Sequence, residues 1–183
     1  MTSLLRFEYV ALWRGGRLLF EGLDLSVAPG EAVQVAGPNG SGKSSLIRLA
    51  AGLLRPQRGS VERASVALAG DYPALDRELP LSAALRFWGG DVEPAMRQFG
   101  LADLASAPVR LLSSGQLKRA TLARVAASGT SLWLLDEPLN ALDADGAKRV
   151  EEAVEQHRER GGAVLAASHQ PLAGAWRMLE LGA

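Results

Sequence analysis

Ala32-Val33-Gln34-Val35-Ala36-Gly37-Pro38-Asn39-Gly40-Ser41-Gly42-Lys43-Ser44 decides the fold. A short buried strand over 32–36 runs directly into a glycine-rich loop that fits Gly-x-x-x-x-Gly-Lys-Ser, and a helix over 44–54 follows. Glycines let the backbone turn tightly, so that several N–H groups point inward, and the helix adds its positive N-terminal end to the same anion site. A triphosphate suits such a cradle, with Lys43 reaching the outer phosphates and the Ser44 hydroxyl ligating Mg²⁺. A plain glycine-rich turn would not require Lys-Ser in register after the last glycine.

Toward the N-terminus, apolar stretches over 4–10 and 18–27 flank Arg14-Gly15-Gly16-Arg17, a strand, turn, strand unit. Toward the C-terminus, strands are expected over 66–69, 132–135, 163–167 and 176–181, and helices over 116–128 and 144–160. Residues 72–110 carry several prolines and short helical patterns around 82–88 and 94–99, which read as a helical insertion. Strands alternating with helices in this way imply an α/β fold with a mostly parallel sheet covered by helices.

The second site is Leu132-Trp133-Leu134-Leu135-Asp136-Glu137, an apolar strand ending in two carboxylates at the sheet edge where ligands bind. Asp136 would hold Mg²⁺ directly or through water. Glu137 would orient and deprotonate an attacking water, because phosphoryl transfer needs a nucleophile in line with the leaving group.

Bulk composition narrows the classes. With 183 residues, 48% of them apolar, and equal numbers of acids and bases, the chain suits one ordinary globule without the basic footprint of a nucleic-acid binder. It has no cysteine, which excludes disulfides, thiolate metal sites and thioether-linked haem. Apolar runs stop well short of a membrane span, and the first residues lack a signal-peptide pattern, so the cytoplasm is the expected compartment.

Taken with these two sites, Leu112-Ser113-Ser114-Gly115-Gln116 resembles the signature motif of ABC ATPases, usually Leu-Ser-Gly-Gly-Gln. Leu139-Asn140-Ala141-Leu142-Asp143 resembles the family's D-loop, and His169 its switch histidine. Read alone, Ser113 to Gln116 is also a helix cap, and both readings can hold together. The resemblance implies a RecA-like P-loop NTPase core with an N-terminal antiparallel β subdomain over 1–31 and a helical insertion over 72–110, all within one ATPase domain over 1–183. It implies ATP and Mg²⁺ as ligands, with Gly37 to Ser45 around the phosphates and Ser44, Asp136 and Asp71 toward the metal. Glu137, His169 and Lys43 are the implied catalytic residues.

It also implies a homodimeric nucleotide sandwich, in which Ser113, Ser114, Gly115 and Gln116 of one subunit cover the γ-phosphate held by Lys43 of the other. Trp13 is the candidate aromatic for stacking on the base, while Trp88, Trp133 and Trp176 read as packing residues. His157 falls on the expected solvated face of the 144–160 helix.

Two positions depart from the family pattern. Ser114 stands for the first signature glycine, which keeps Gly115 for close backbone approach. Ala69-Gly70-Asp71 replaces the usual glutamine before the insertion, and Asp71 either ligates metal through water or begins a turn.

Local stretches including Leu19-Phe20-Glu21-Gly22-Leu23, Gln34-Val35-Ala36 and Ser168-His169-Gln170-Pro171-Leu172 are most similar to ATP-binding subunits of bacterial haem exporters in cytochrome c biogenesis. This resemblance implies a peripheral protein on the cytoplasmic side of the inner membrane, driving an integral permease and not binding haem itself. Transport of another substrate, or a soluble mechanical clamp on DNA or ribosomes, are the rival readings. The clamp is opposed by the lack of a coiled coil, a second ATPase domain or a basic surface.

Overall fold

The computed structural model describes residues 3–70 and 72–182; Asp71 lies outside the described residues. Strands β1 (Leu5–Arg14) and β2 (Arg17–Val27) pair antiparallel, with Arg14 opposite Arg17 across Gly15 and Gly16. Both glycines have positive φ, 57° and 75°, the backbone that a two-residue hairpin needs to match strand twist. Strand β3 (Ala32–Ala36) then enters a second sheet, and α1 (Lys43–Ala50) follows the glycine-rich loop.

The second sheet is wholly parallel, in the order β5-β6-β7-β3-β8, with β5 spanning Val66–Ala69, β6 Leu132–Asp136, β7 Ala163–Ala167 and β8 Arg177–Glu180. Every residue of β6 and β7 is buried, because both faces of this sheet are covered. Alternation divides the strand residues between two cores. Val33, Val35, Leu132, Leu134 and Leu165 pack with α1 and the antiparallel sheet, whereas Trp133, Leu135, Val164 and Ala166 pack with the other helices. The parallel sheet is thus the middle layer.

Those other helices are α2 (Leu81–Arg86), α3 (Val92–Gln98), α4 (Ser114–Ala127) and α5 (Ala144–Glu159). The expected insertion contains α2, α3 and two short 3-10 turns, and backbone bonds from Leu81 N to Ala107 O and from Val109 N to Leu79 O draw its ends together. Trp88 is more exposed than a packing residue: its ring lies under the Arg124 guanidinium at 4.7 Å, and its Nε1 donates to Ala74 O.

Two further features depart from the sequence expectations. Strand β4 (Arg58–Arg63), Arg-Gly-Ser-Val-Glu-Arg, joins the other edge of β1 to give the order β2-β1-β4. It has no apolar alternation, and only Val61 is even partly buried. Gly59 permits the pairing, since its φ is +77° and a Cβ there would lie 2.1 Å from Glu8 O.

His157 is not on a solvated face. Its ring stacks on Trp133 at 4.0 Å with an interplanar angle of 11°, and it lies against the Gly162 backbone, where a Cβ would come within 2.2 Å of Nε2. Burial pushes the His157 pKa below its ordinary value. A histidine depressed in the folded state takes up protons preferentially on unfolding, so its stability contribution is present above the unfolded pKa, about 6.5, and is lost as pH falls through it. His157→Phe keeps the stack without the titration. The melting temperature of the wild type should therefore drop relative to that of the variant between pH 7.5 and pH 5; a pH-independent difference would contradict the burial of a neutral ring.

Candidate phosphate-binding and catalytic site

The loop over 37–42 carries its own anion geometry. Helix α1 has Gly42 as its N-cap, with φ of 106° and no side-chain cap, and no acidic residue in its first turn. Its leading N–H groups therefore have no side-chain partner and face the cradle. Lys43 is buried, and its Nζ donates to Gly37 O at 2.7 Å and Pro38 O at 3.1 Å, which holds the ammonium across the loop. Gly37 is required by close approach: φ is 140°, and a Cβ would lie 2.3 Å from Leu181 O. A Cβ on Gly42 would sit 3.2 Å from both Leu19 and Phe20 of β2, so the first hairpin packs directly against the loop.

Ser44 Oγ donates to Asp136 Oδ1 at 3.1 Å, joining the first turn of α1 to the end of β6. Asp136 is buried at this point. Among the described residues no group of three or more acidic or histidine side chains gathers to hold a metal. One hydroxyl beside one carboxylate suits a hard divalent ion that takes its other ligands from phosphate oxygens and water, the usual habit of Mg²⁺.

Glu137, one residue further, adopts left-handed backbone with φ of 47°, and its N–H donates to Ala167 O at 2.8 Å. The turn aims its carboxylate at His169, whose Nδ1 lies 2.8 Å from Oε2. A left-handed non-glycine residue costs energy and persists only where its surroundings hold it. The turn that follows His169 is held by a residue to which the sequence reading gave no role. Gln34, 3% exposed in the middle of β3, donates from Nε2 to Gln170 O at 2.7 Å and accepts from Leu172 N at 3.1 Å. An amide inside the apolar run Ala-Val-Gln-Val-Ala was the available signal, because a buried amide must be paired.

A cavity of about 420 Å³ opens over the loop, with Lys43, Ser44, Glu137, Arg14, Arg48 and Leu19 among its lining residues. Trp13, the candidate aromatic, is not on its wall; its ring lies beneath the Arg58 guanidinium at 5.7 Å.

Ser113 to Gln116 are apart from this cavity in the single chain. Ser113 is the N-cap of α4 and forms a capping box: Gln116 N donates to Ser113 Oγ, and Ser113 N donates to Gln116 Oε1. Gly115 abuts the D-loop stretch, where a Cβ would lie 2.9 Å from Ala141 O, and Lys118 Nζ donates to Asp136 O at 3.1 Å. The start of α4 is thereby tied to the end of β6.

A phosphate loop, a serine–aspartate pair and a carboxylate–imidazole pair on the carboxyl edge of one parallel sheet define a nucleoside-triphosphate hydrolase. The chain belongs to the ABC transporter family, whose family model matches residues 20–140. Two similar proteins are both named cytochrome c biogenesis ATP-binding export protein CcmA. That of Novosphingobium aromaticivorans is 59% identical over 168 residues, covering 90% of this chain and 87% of its own. That of Sphingopyxis alaskensis is 52% identical over 181 residues, covering 94% and 93%. A solved structure described as the ATP-binding subunit of an ABC transporter superposes with a TM-score of 0.88 over 99% of this chain and 89% of that one, at 22% identity, and shows the same fold. The chain is accordingly an ATP-binding ABC subunit with ATPase activity.

Gln34→Leu should leave Gln170 O and Leu172 N without partners, at a cost of about 1–3 kcal/mol. Thermal melting should fall by about 2–4 °C for each kcal/mol, and ATP turnover by about tenfold as His169 loses its seat. Unchanged turnover in a folded variant would show that the loop does not depend on this amide.

Proposed function

We propose that the chain works as a homodimer that closes on ATP, hydrolyses it, and drives an integral membrane permease in haem export for cytochrome c biogenesis. The observation that carries the catalytic part is the Glu137 carboxylate, a lining residue of the phosphate-loop cavity, 2.8 Å from the His169 imidazole. The family implies the permease and the dimer, and the CcmA relatives support the export role in cytochrome c biogenesis. Among the described residues no helix is long and apolar enough to cross a membrane. A peripheral subunit on the cytoplasmic side of the inner membrane, gripping a permease, fits that observation.

In this reading Lys43 and the N–H groups of residues 37–45 hold the β- and γ-phosphates. Ser44 and Asp136 would hold Mg²⁺, which when bound offsets phosphate charge. Glu137 accepts a proton from water as the water oxygen bonds to the γ-phosphorus and the bond to the β–γ bridging oxygen breaks. His169 keeps the Glu137 carboxylate oriented. Across the dimer, Ser113 to Gln116 would complete the anion cage: the Ser113 oxygen accepts within its own capping box, which leaves its O–H free to donate to the partner's nucleotide.

Glu137→Gln should retain ATP binding, slow hydrolysis about 10²-fold or more, and elute from size exclusion as an ATP-trapped dimer. Hydrolysis at the wild-type rate would remove Glu137 from this role. Lys43→Ala should instead weaken ATP binding itself, and an unaltered affinity would overturn the phosphate-loop assignment. Cells lacking the gene should lose covalently haem-stained c-type cytochromes and regain them with wild type but not with Glu137→Gln; normal staining without the gene would point to another transported substrate.

A further inference from the structure

We infer that Lys118 is a positioning residue for hydrolysis: its ammonium holds the peptide group between Asp136 and Glu137 in the orientation that aims the Glu137 carboxylate. The inference rests on the reading of Glu137 as the group that accepts a proton from water.

The peptide group that joins Asp136 to Glu137 is a planar unit whose polar ends, the Asp136 carbonyl and the Glu137 N–H, point in opposite directions. Both ends are engaged. The N–H donates to Ala167 O of β7 at 2.8 Å, and the carbonyl accepts from Lys118 Nζ at 3.1 Å. Pairing of β5 with β6 ends at Ala69 opposite Leu135, so at the next carbonyl a side chain from α4 supplies a donor beyond the end of that ladder. A plane held at both ends resists rotation. Rotation of this plane is the motion that would return Glu137 from φ of 47° to the negative values that non-glycine residues prefer. It would also re-aim the carboxylate that now lies 2.8 Å from His169 Nδ1.

Lys118 acts from behind the site. It is half-buried and is not among the described residues that line the phosphate-loop cavity. An ammonium makes a charge-assisted bond to a carbonyl, stronger than one from a neutral donor, and the long lysine stem lets a helix residue reach the strand end. Lys118 stands in the second turn of α4, whose N-cap is Ser113, so the placement of that helix enters the placement of the Glu137 carboxylate. Removing the ammonium leaves the N–H end of the peptide group fixed and releases this hold on the other. The loss should therefore fall on the rate of the chemical step and spare ATP affinity.

The test is single-turnover ATP hydrolysis and equilibrium ATP binding by the purified full chain and by Lys118→Met, Lys118→Gln and Lys118→Arg, with folding of each followed by circular dichroism. Lys118→Met is also measured in a Glu137→Gln background. Lys118→Met removes the donor, and the amide of Lys118→Gln stops one bond short of the carbonyl. Both should slow the chemical step about tenfold to a hundredfold and leave the ATP dissociation constant within about threefold of wild type. Lys118→Arg, which keeps a charged donor, should recover the rate to within about threefold. Because Lys118 acts through Glu137, Lys118→Met should slow the Glu137→Gln protein by no more than about threefold further. A wild-type rate in folded Lys118→Met or Lys118→Gln would reduce Lys118 to a fastening of α4 and overturn the inference. So would a loss of ATP affinity as large as the loss of rate, a loss in Lys118→Arg equal to that in Lys118→Met, or the full loss repeated in the Glu137→Gln background. Hydrolysis by Glu137→Gln alone at the wild-type rate would remove the reading of Glu137, and this inference with it; the other adverse outcomes leave that reading standing.

Discussion

A carboxylate buried at the end of a strand that is covered on both faces must be paired, and Asp136 is paired with the hydroxyl of Ser44. That hydrogen bond spans 92 residues of sequence and joins the two halves of the site. Because Ser44 stands in the first turn of α1, the bond fixes the angle at which the helix N-terminus meets the sheet edge. Because Asp136 precedes Glu137, it also sets where the left-handed turn at Glu137 begins. Lys43 stands directly before Ser44, and Glu137, beside His169, directly after Asp136, so the junction brings these groups to one sheet edge. Losing the hydroxyl would leave a buried carboxylate oxygen without this partner, at the cost that desolvated charged groups carry; the bond also specifies geometry.

Much of this was legible in the chain. The run from Ala32 to Ser44 combines a strand, a loop and a helix start in one register, and β6 reads as five apolar or acidic residues with their charge at the end. Both elements are local, so their signals sit in consecutive residues. The failures were non-local. Strand β4 has almost no buried face of its own and exists because β1 offers a free edge, with Gly59 allowing close approach. His157 looked solvated on helical periodicity, yet the Trp133 ring beneath it and the bare Gly162 backbone beside it make a slot for an imidazole. Gln34 was hidden by its apolar neighbours. At the hairpin end Arg14 lines the cavity, and Trp13 lies beneath the Arg58 guanidinium.

The signature segment shows how one set of atoms serves two purposes. Ser113 and Gln116 satisfy each other's backbone at the start of α4, so the helix end is ordered without a partner. Their ordering in advance means that closing a nucleotide sandwich would not have to freeze this loop, and less conformational entropy would oppose the closure. Lys118 and Gly115 extend the same logic, since they fasten the start of α4 to β6 and to the D-loop stretch.

The order of strands in the parallel sheet has a kinetic consequence. Strand β3, which carries the phosphate loop, lies between β7 and β8, the last two strands of the chain. Leu181 reinforces the arrangement, donating from its N–H to Ala36 O, with its own carbonyl against Gly37. A growing polypeptide leaving the ribosome therefore exposes β3 long before either neighbour is synthesised. The loop that reads most clearly in sequence is among the later parts to acquire its native frame, and nucleotide can assist folding only after β7, β8 and Leu181 have emerged.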